Sequence, residues 1–143
     1  MNRYKEPPRI RGYSFYRKDI ERIVEHNRKF LAGKKRKPKL LAMFIDIEPY
    51  CNLKCPFCYA DSSGRRRLTL RWDKIRECID AAKEFGAKSV AIAGDGEPLM
   101  SANFWGIIRC INRHGMTPVV FTNNTLLTKN DAKKLYRNNV SVI

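Results

Sequence analysis

Three cysteines fall within eight residues of this sequence, Cys51, Cys55 and Cys58 in "CNLKCPFCYA" (51–60). Thiolates select soft metals, so zinc, copper(I) and iron–sulfur clusters are the candidates. A structural zinc takes four ligands, usually as two separated pairs, and an electron-carrying ferredoxin supplies four cysteines per cluster. Here three thiols stand together and no fourth is in place. His26 lies in the N-terminal stretch, His114 at the end of a helical pattern, and Cys78 and Cys110 read as small core residues on helices. Three thiolates on a cubane cluster leave one iron open, which is what a catalytic metal keeps and a structural one does not. Three buried thiols fit poorly, because Asn52, Lys54 and Pro56 make the loop polar and turn-like. Zinc with one outside ligand is the rival that spacing alone leaves standing.

Two further stretches have the composition of binding loops. "GDGEP" (94–98) sets a carboxyl, Glu97, beside two glycines that permit a close backbone approach. "FTNN" (121–124) ends an apolar run in polar residues, with Asn124 able to accept a positive φ. Each alone is a weak signal. Their positions make them informative.

Elements of regular period place all three. "LLAMFIDIE" (40–48), "SVAIAG" (89–94), "TPVVFT" (117–122) and "VSVI" (140–143) read as strands. Between them, residues 69–88, 103–115 and 129–139 read as helices, with Trp72, Ile75, Ile79, Ala82 and Phe85 marking one apolar stripe and Gly86 and Gly115 acting as stops. The order β-α-β-α-β-α-β predicts parallel strands joined by right-handed crossovers. The cysteine loop, "GDGEP" and "TNN" then follow strands one, two and three. All three lie on the rim where α/β sheets and barrels bind ligands.

Charge and composition bound the rest. The 143 residues are 43% hydrophobic, enough for one core, and hold no apolar window long enough to span a membrane. The start lacks the apolar stretch of a secretory signal, so a cytoplasmic setting is expected. Of the net +15, residues 1–40 carry 14 Lys/Arg against 4 Asp/Glu. A basic preface over 1–39, with a helix at 17–31 and the run "GKKRKPK" (33–39), therefore precedes the main domain at 40–143. That run offers charge for RNA phosphates or an acidic partner but has no aromatic residue to stack on a base, which favours a solvated linker. Arg65, Arg66 and Arg67 read as a solvated loop, and Trp72 as core.

The C-x3-C-x2-C loop after a first strand, with "GDGEP" one βα unit later, resembles the radical SAM enzymes over residues 40–143. The resemblance implies a partial (βα)6 barrel, an α/β fold, here truncated after about three and a half βα units. It implies that Cys51, Cys55 and Cys58 ligate a [4Fe-4S] cluster. The open iron is chelated by S-adenosylmethionine, which is cleaved reductively to a 5′-deoxyadenosyl radical that abstracts hydrogen from substrate. Phe57 and Tyr59 match aromatics near the adenine, and Gly94, Asp95, Gly96 and Glu97 match the Gly-Gly-Glu-Pro motif, with Asp95 in place of the second glycine. Glu97 is thereby expected at the methionine ammonium. Thr122 and Asn123 match the "TNG" segment, Asn124 standing where glycine is usual, and line the SAM pocket or cap the next turn.

The resemblance also implies an electron donor such as flavodoxin or ferredoxin. Members carrying SPASM or twitch domains, which modify peptides or proteins, look most similar. An RNA-modifying member is the alternative. A zinc-binding interaction module and a pure RNA-binding protein are rivals from other classes, and neither accounts for "GDGEP" sharing a rim with the thiols. An open sheet ending on "VSVI" would expose an apolar edge, so the chain is expected to be a fragment that does not turn over unaided.

Overall fold

The computed structural model describes residues 17–60 and 68–143; Arg65, Arg66 and Arg67 lie outside them. Helix α1 spans Arg17–Leu31, followed by β1 Ala42–Ile45, α2 Trp72–Glu84, β2 Ser89–Ile92, α3 Phe104–Arg113, β3 Thr117–Val120, α4 Lys129–Arg137 and β4 Ser141–Val142. The strands form one sheet in the order β1-β2-β3-β4, every pair parallel. Each strand thus lies beside its predecessor, and each helix crosses back over one face.

Alternation along the strands sorts the side chains. Ile45, Val90, Ile92 and Val120 face the helices and join α2, α3 and α4 in one core. The helical stripes meet them there: Ile75, Ile79 and Ala82 of α2, Ile107, Ile108 and Ile111 of α3, and Leu135 of α4 are all buried. Each fully buried isoleucine contributes roughly 1.5–3 kcal/mol of transfer free energy. The opposite face carries Phe44, Ala91, Val119 and Ser141 in one register row. On that row Phe44 is 62% exposed.

The helix ends follow local chemistry. Gly86 and Gly115 close α2 and α3 at φ of +82° and +66°, the left-handed conformation that glycine adopts without strain. Thr128 and Asp131 form a reciprocal capping box on α4. Helix α1 is fastened to the linker: Asn27 exchanges two hydrogen bonds with the Lys39 backbone, at 2.9 and 2.7 Å. Lys37 in turn pairs with Glu84 of α2.

Two expectations need correction. Cys78 is exposed, not a core residue. The buried stripe of α2, Ile75, Ile79 and Ala82, is narrow, and at 100° per residue Cys78 falls about 70° from its middle. Cys110, by contrast, is half-buried against the core, and burial pushes its thiol pKa up. The first strand is shorter than 40–48, because beyond Ile45 the N–H groups of Glu48 and Tyr50 bond to the Asp46 and Glu48 side chains rather than to the ladder. On the sheet edge, Val142 is 39% and Ile143 51% exposed.

The α4 cap has a pH signature. The Thr128 hydroxyl and backbone N–H hold the Asp131 carboxyl below its ordinary range. A depressed folded-state pKa stabilises above the unfolded value and loses that contribution as pH falls through the folded one. Urea denaturation is therefore expected to show Asp131→Ala less stable than the wild type at pH 7. The difference shrinks once the pH drops below the carboxylate range; a pH-independent difference would contradict the cap's charge.

Candidate functional site

The last ladder bond of β1 runs from the Ala93 N–H to the Ile45 carbonyl, 3.1 Å. Beyond it Asp46 takes over. Its carboxyl accepts from the backbone N–H of Asp95 at 3.0 Å and of Glu48 at 3.2 Å. Gly94 lies flush against this side chain, and a Cβ there would overlap Asp46. A Cβ on Gly96 would overlap the carbonyl oxygens of Glu48 and Tyr50. Both glycines of "GDGEP" are therefore required by packing of the second loop onto the backbone of the first. In this respect the close partner is the protein's own chain.

Glu97 joins three loops. Its backbone N–H donates to the Tyr50 carbonyl at 2.8 Å, next to Cys51. Its side chain is buried, only 2% of the residue being exposed. There Oε1 accepts from the Leu99 N–H at 3.0 Å and the Thr122 hydroxyl at 2.7 Å. Oε2 accepts from the Asn123 N–H at 2.8 Å. Three of about four acceptor directions are filled, which leaves one on Oε2. Thr122 is also engaged, its hydroxyl accepting from the Asn124 N–H at 3.0 Å. Asn124 sits at φ +62°, the conformation read from its place in "TNN".

The thiols occupy the loop that follows β1. Cys51 and Cys55 are half-buried and Cys58 is exposed, and none is in a disulfide. Among the described residues no three His, Cys, Asp or Glu side chains converge at metal-ligand spacing. What the loop provides is a donor set: three thiols on a short turn, closed by a Cys58 N–H to Cys55 carbonyl bond of 3.0 Å. Donors already face the first sulfur. The Leu53 N–H lies 3.5 Å and the Asn123 side-chain amide 3.7 Å from Cys51 Sγ. Thiolate ligands of iron–sulfur clusters take hydrogen bonds of this kind. Chemically, the set fits a soft metal centre. Phe57 and Tyr59 flank the last thiol, 87% and 84% exposed, and present apolar surface at the rim.

The structure thus brings the cysteine loop, "GDGEP" and "TNN" together. Three contributors had escaped sequence reasoning. Asp46 carries a faint signal, the first acid where an apolar strand reaches the rim. Asn52 and Thr125 carry none, because their 2.8 Å hydrogen bond links positions 73 residues apart.

Comparison with known proteins agrees with this architecture. Residues 45–143 match the sequence profile of the Radical SAM superfamily. A relative from Methanococcus maripaludis named "Probable GTP 3',8-cyclase" is 32% identical over 92 residues, covering 64% of this chain and 31% of its own. The chain spans about a third of the length of that curated relative. Among solved structures, Streptococcus suis SuiB bound to the precursor peptide SuiA superposes with a TM-score of 0.64 at 22% identity, over 87% of this chain and 28% of SuiB. BtrN in complex with AdoMet and 2-DOIA gives 0.59 at 18% identity, over 73% of this chain and 44% of BtrN. At such identities these two show a shared fold, a parallel α/β sheet flanked by helices. With the family match running from the end of β1 through β4, the chain belongs to the radical SAM superfamily.

Proposed function

We propose that residues 40–143 are the N-terminal half of a radical SAM core, in which Cys51, Cys55 and Cys58 hold the family's [4Fe-4S] cluster. The whole protein abstracts hydrogen from a peptide or protein substrate. The carrying observation is the Glu97 junction, which fixes the second and third loops against the cysteine loop. When bound, the reduced cluster and S-adenosylmethionine together supply one-electron cleavage to a 5′-deoxyadenosyl radical.

The chain's own residues prepare that site. Gly94 and Gly96 let the "GDGEP" backbone lie against the cysteine loop, and Asp46 fixes it through the Asp95 N–H. The open acceptor direction of Glu97 Oε2 is assigned to the ammonium of the methionine moiety. Thr122 and the Asn123 backbone hold that carboxyl in place. Phe57 and Tyr59, exposed on the cysteine loop, supply the apolar surface that would flank the adenine of S-adenosylmethionine. The basic preface, residues 1–39, precedes this core in the sequence, and a flavodoxin or ferredoxin supplies the electron. A peptide substrate is supported by the likeness to SuiB, whose partner is a precursor peptide. A nucleotide substrate is the second reading, favoured by the relative named as a GTP cyclase.

The metal assignment is tested by iron and sulfide analysis after anaerobic reconstitution. The wild type is expected to take up about four irons per chain. Changing Cys51, Cys55 or Cys58 to Ala abolishes stable loading, whereas Cys78→Ala and Cys110→Ala load normally. An intact cluster in any of the first three sinks the ligand assignment, and uptake of zinc but not iron makes the loop a structural metal site.

Glu97→Gln turns one side-chain oxygen into a donor facing protein donors. It is expected to cost about 1–3 kcal/mol in urea denaturation, the range for a buried hydrogen-bonding group left unsatisfied. Cluster loading persists while the spectral response to S-adenosylmethionine weakens. Unchanged stability together with an unchanged response would contradict the role given to Glu97.

A further inference from the structure

Asn123 does more than pass its backbone N–H to Glu97. Its side-chain Nδ2 donates to Cys51 Sγ at 3.7 Å and to Asn52 Oδ1 at 3.0 Å. Its Oδ1 accepts from the Thr125 N–H at 3.0 Å and the Thr125 hydroxyl at 2.7 Å. Two donors and two acceptor sites are all an asparagine amide offers, and all four are used.

The orientation of this amide is fixed. A backbone N–H can only donate, so the atom facing the Thr125 N–H is the oxygen. Nδ2 therefore faces Cys51 and Asn52. Asn52 closes the circuit, its own Nδ2 donating to the Thr125 hydroxyl at 2.8 Å. Asn123, Asn52 and Thr125 form a ring in which each passes one hydrogen bond to the next. A flipped Asn123 would set donor against donor at Thr125 and acceptor against acceptor at Asn52.

We propose that Asn123 is a positioning residue for the metal centre: its locked amide holds the Cys51 sulfur by an N–H···S hydrogen bond and sets how readily the centre accepts an electron. This rests on the reading of Cys51 as a cluster ligand. A hydrogen bond to a ligating sulfur stabilises negative charge there, and the reduced state carries one more electron than the oxidised state. The bond therefore favours reduction and raises the potential. The ring supplies rigidity, because the cysteine loop and the β3 loop come from strands separated by β2. Residue 123 thus links the junction at Glu97 to the first metal ligand.

The test is an EPR-monitored redox titration of the reconstituted full chain. Asn123→Asp keeps the acceptor for Thr125 but loses the donor to Cys51, Asn123→Ala removes both without adding charge, and Asn52→Ala opens the ring but leaves the donor. At the potential where the wild type is half reduced, the two Asn123 variants are expected to show a reduced-to-oxidised ratio about tenfold lower. For a one-electron couple that is a shift of about 59 mV to more negative potential. Asn52→Ala is expected to keep the wild-type midpoint while losing cluster faster under chelator. An unchanged midpoint in the Asn123 variants at wild-type iron content overturns the proposal, as does an equal shift in Asn52→Ala, which would mark general loosening. Loss of loading in both Asn123 variants, with loading kept in Asn52→Ala, would confine Asn123 to assembly and also overturn the tuning role. A wild type that takes up no cluster would instead refute the cysteine assignment itself.

Discussion

A carboxyl group taken out of water needs its solvation replaced by protein donors, or it costs several kcal/mol. Glu97 meets that demand with the Thr122 hydroxyl and the N–H groups of Leu99 and Asn123. Those donors come from two loops, and the Glu97 N–H reaches a third at Tyr50. Satisfying this one side chain therefore fixes the second loop and the start of the third. The arrangement stands because both sheet and core permit it. In an all-parallel sheet every strand ends on the same rim, so loops distant in sequence become neighbours.

Close approach is the second constraint, and it explains the glycines. Two backbones cannot touch at Gly96 and Tyr50, nor Gly94 seat against Asp46, if either glycine carries a Cβ. Packing of the loops, rather than contact with a ligand, is enough to account for both residues. The departure from the double-glycine motif falls on Asp95, between them. There the backbone N–H is given to Asp46, a hydrogen bond that any residue except proline can make. The variation lies where the structure tolerates a side chain.

The fold was largely legible in the sequence, since helix stripes and strand runs are set by local periodicity. All four strands and the four helices lie where their periods placed them. Errors came at margins. Cys78 was misread because a spacing of three from Ile75 falls beside a narrow stripe as easily as on it. The cysteines, "GDGEP" and "TNN" were legible as neighbours through their shared place after successive strands. The Asn52–Thr125–Asn123 ring was not, because nothing in "CNLKC" or "NNT" shows which amide meets which hydroxyl. Polar networks between distant loops are set by tertiary geometry. Glu97 was singled out for a ligand's ammonium, and its structural work at the loop junction was equally hidden.

These features divide labour within the parallel α/β sheet. The apolar face of the sheet and its helices supply stability, and the rim holds polar groups in fixed orientations beside the cysteine loop, two of them facing Cys51. On the proposed reading, the three thiols of that loop leave a metal position open to a second cofactor. That open position is tested most directly by EPR of the anaerobically reconstituted, dithionite-reduced chain before and after addition of S-adenosylmethionine. A [4Fe-4S]+ signal that changes on addition is the expected result. A chain that binds zinc but no iron, or a cluster signal indifferent to S-adenosylmethionine, would contradict it.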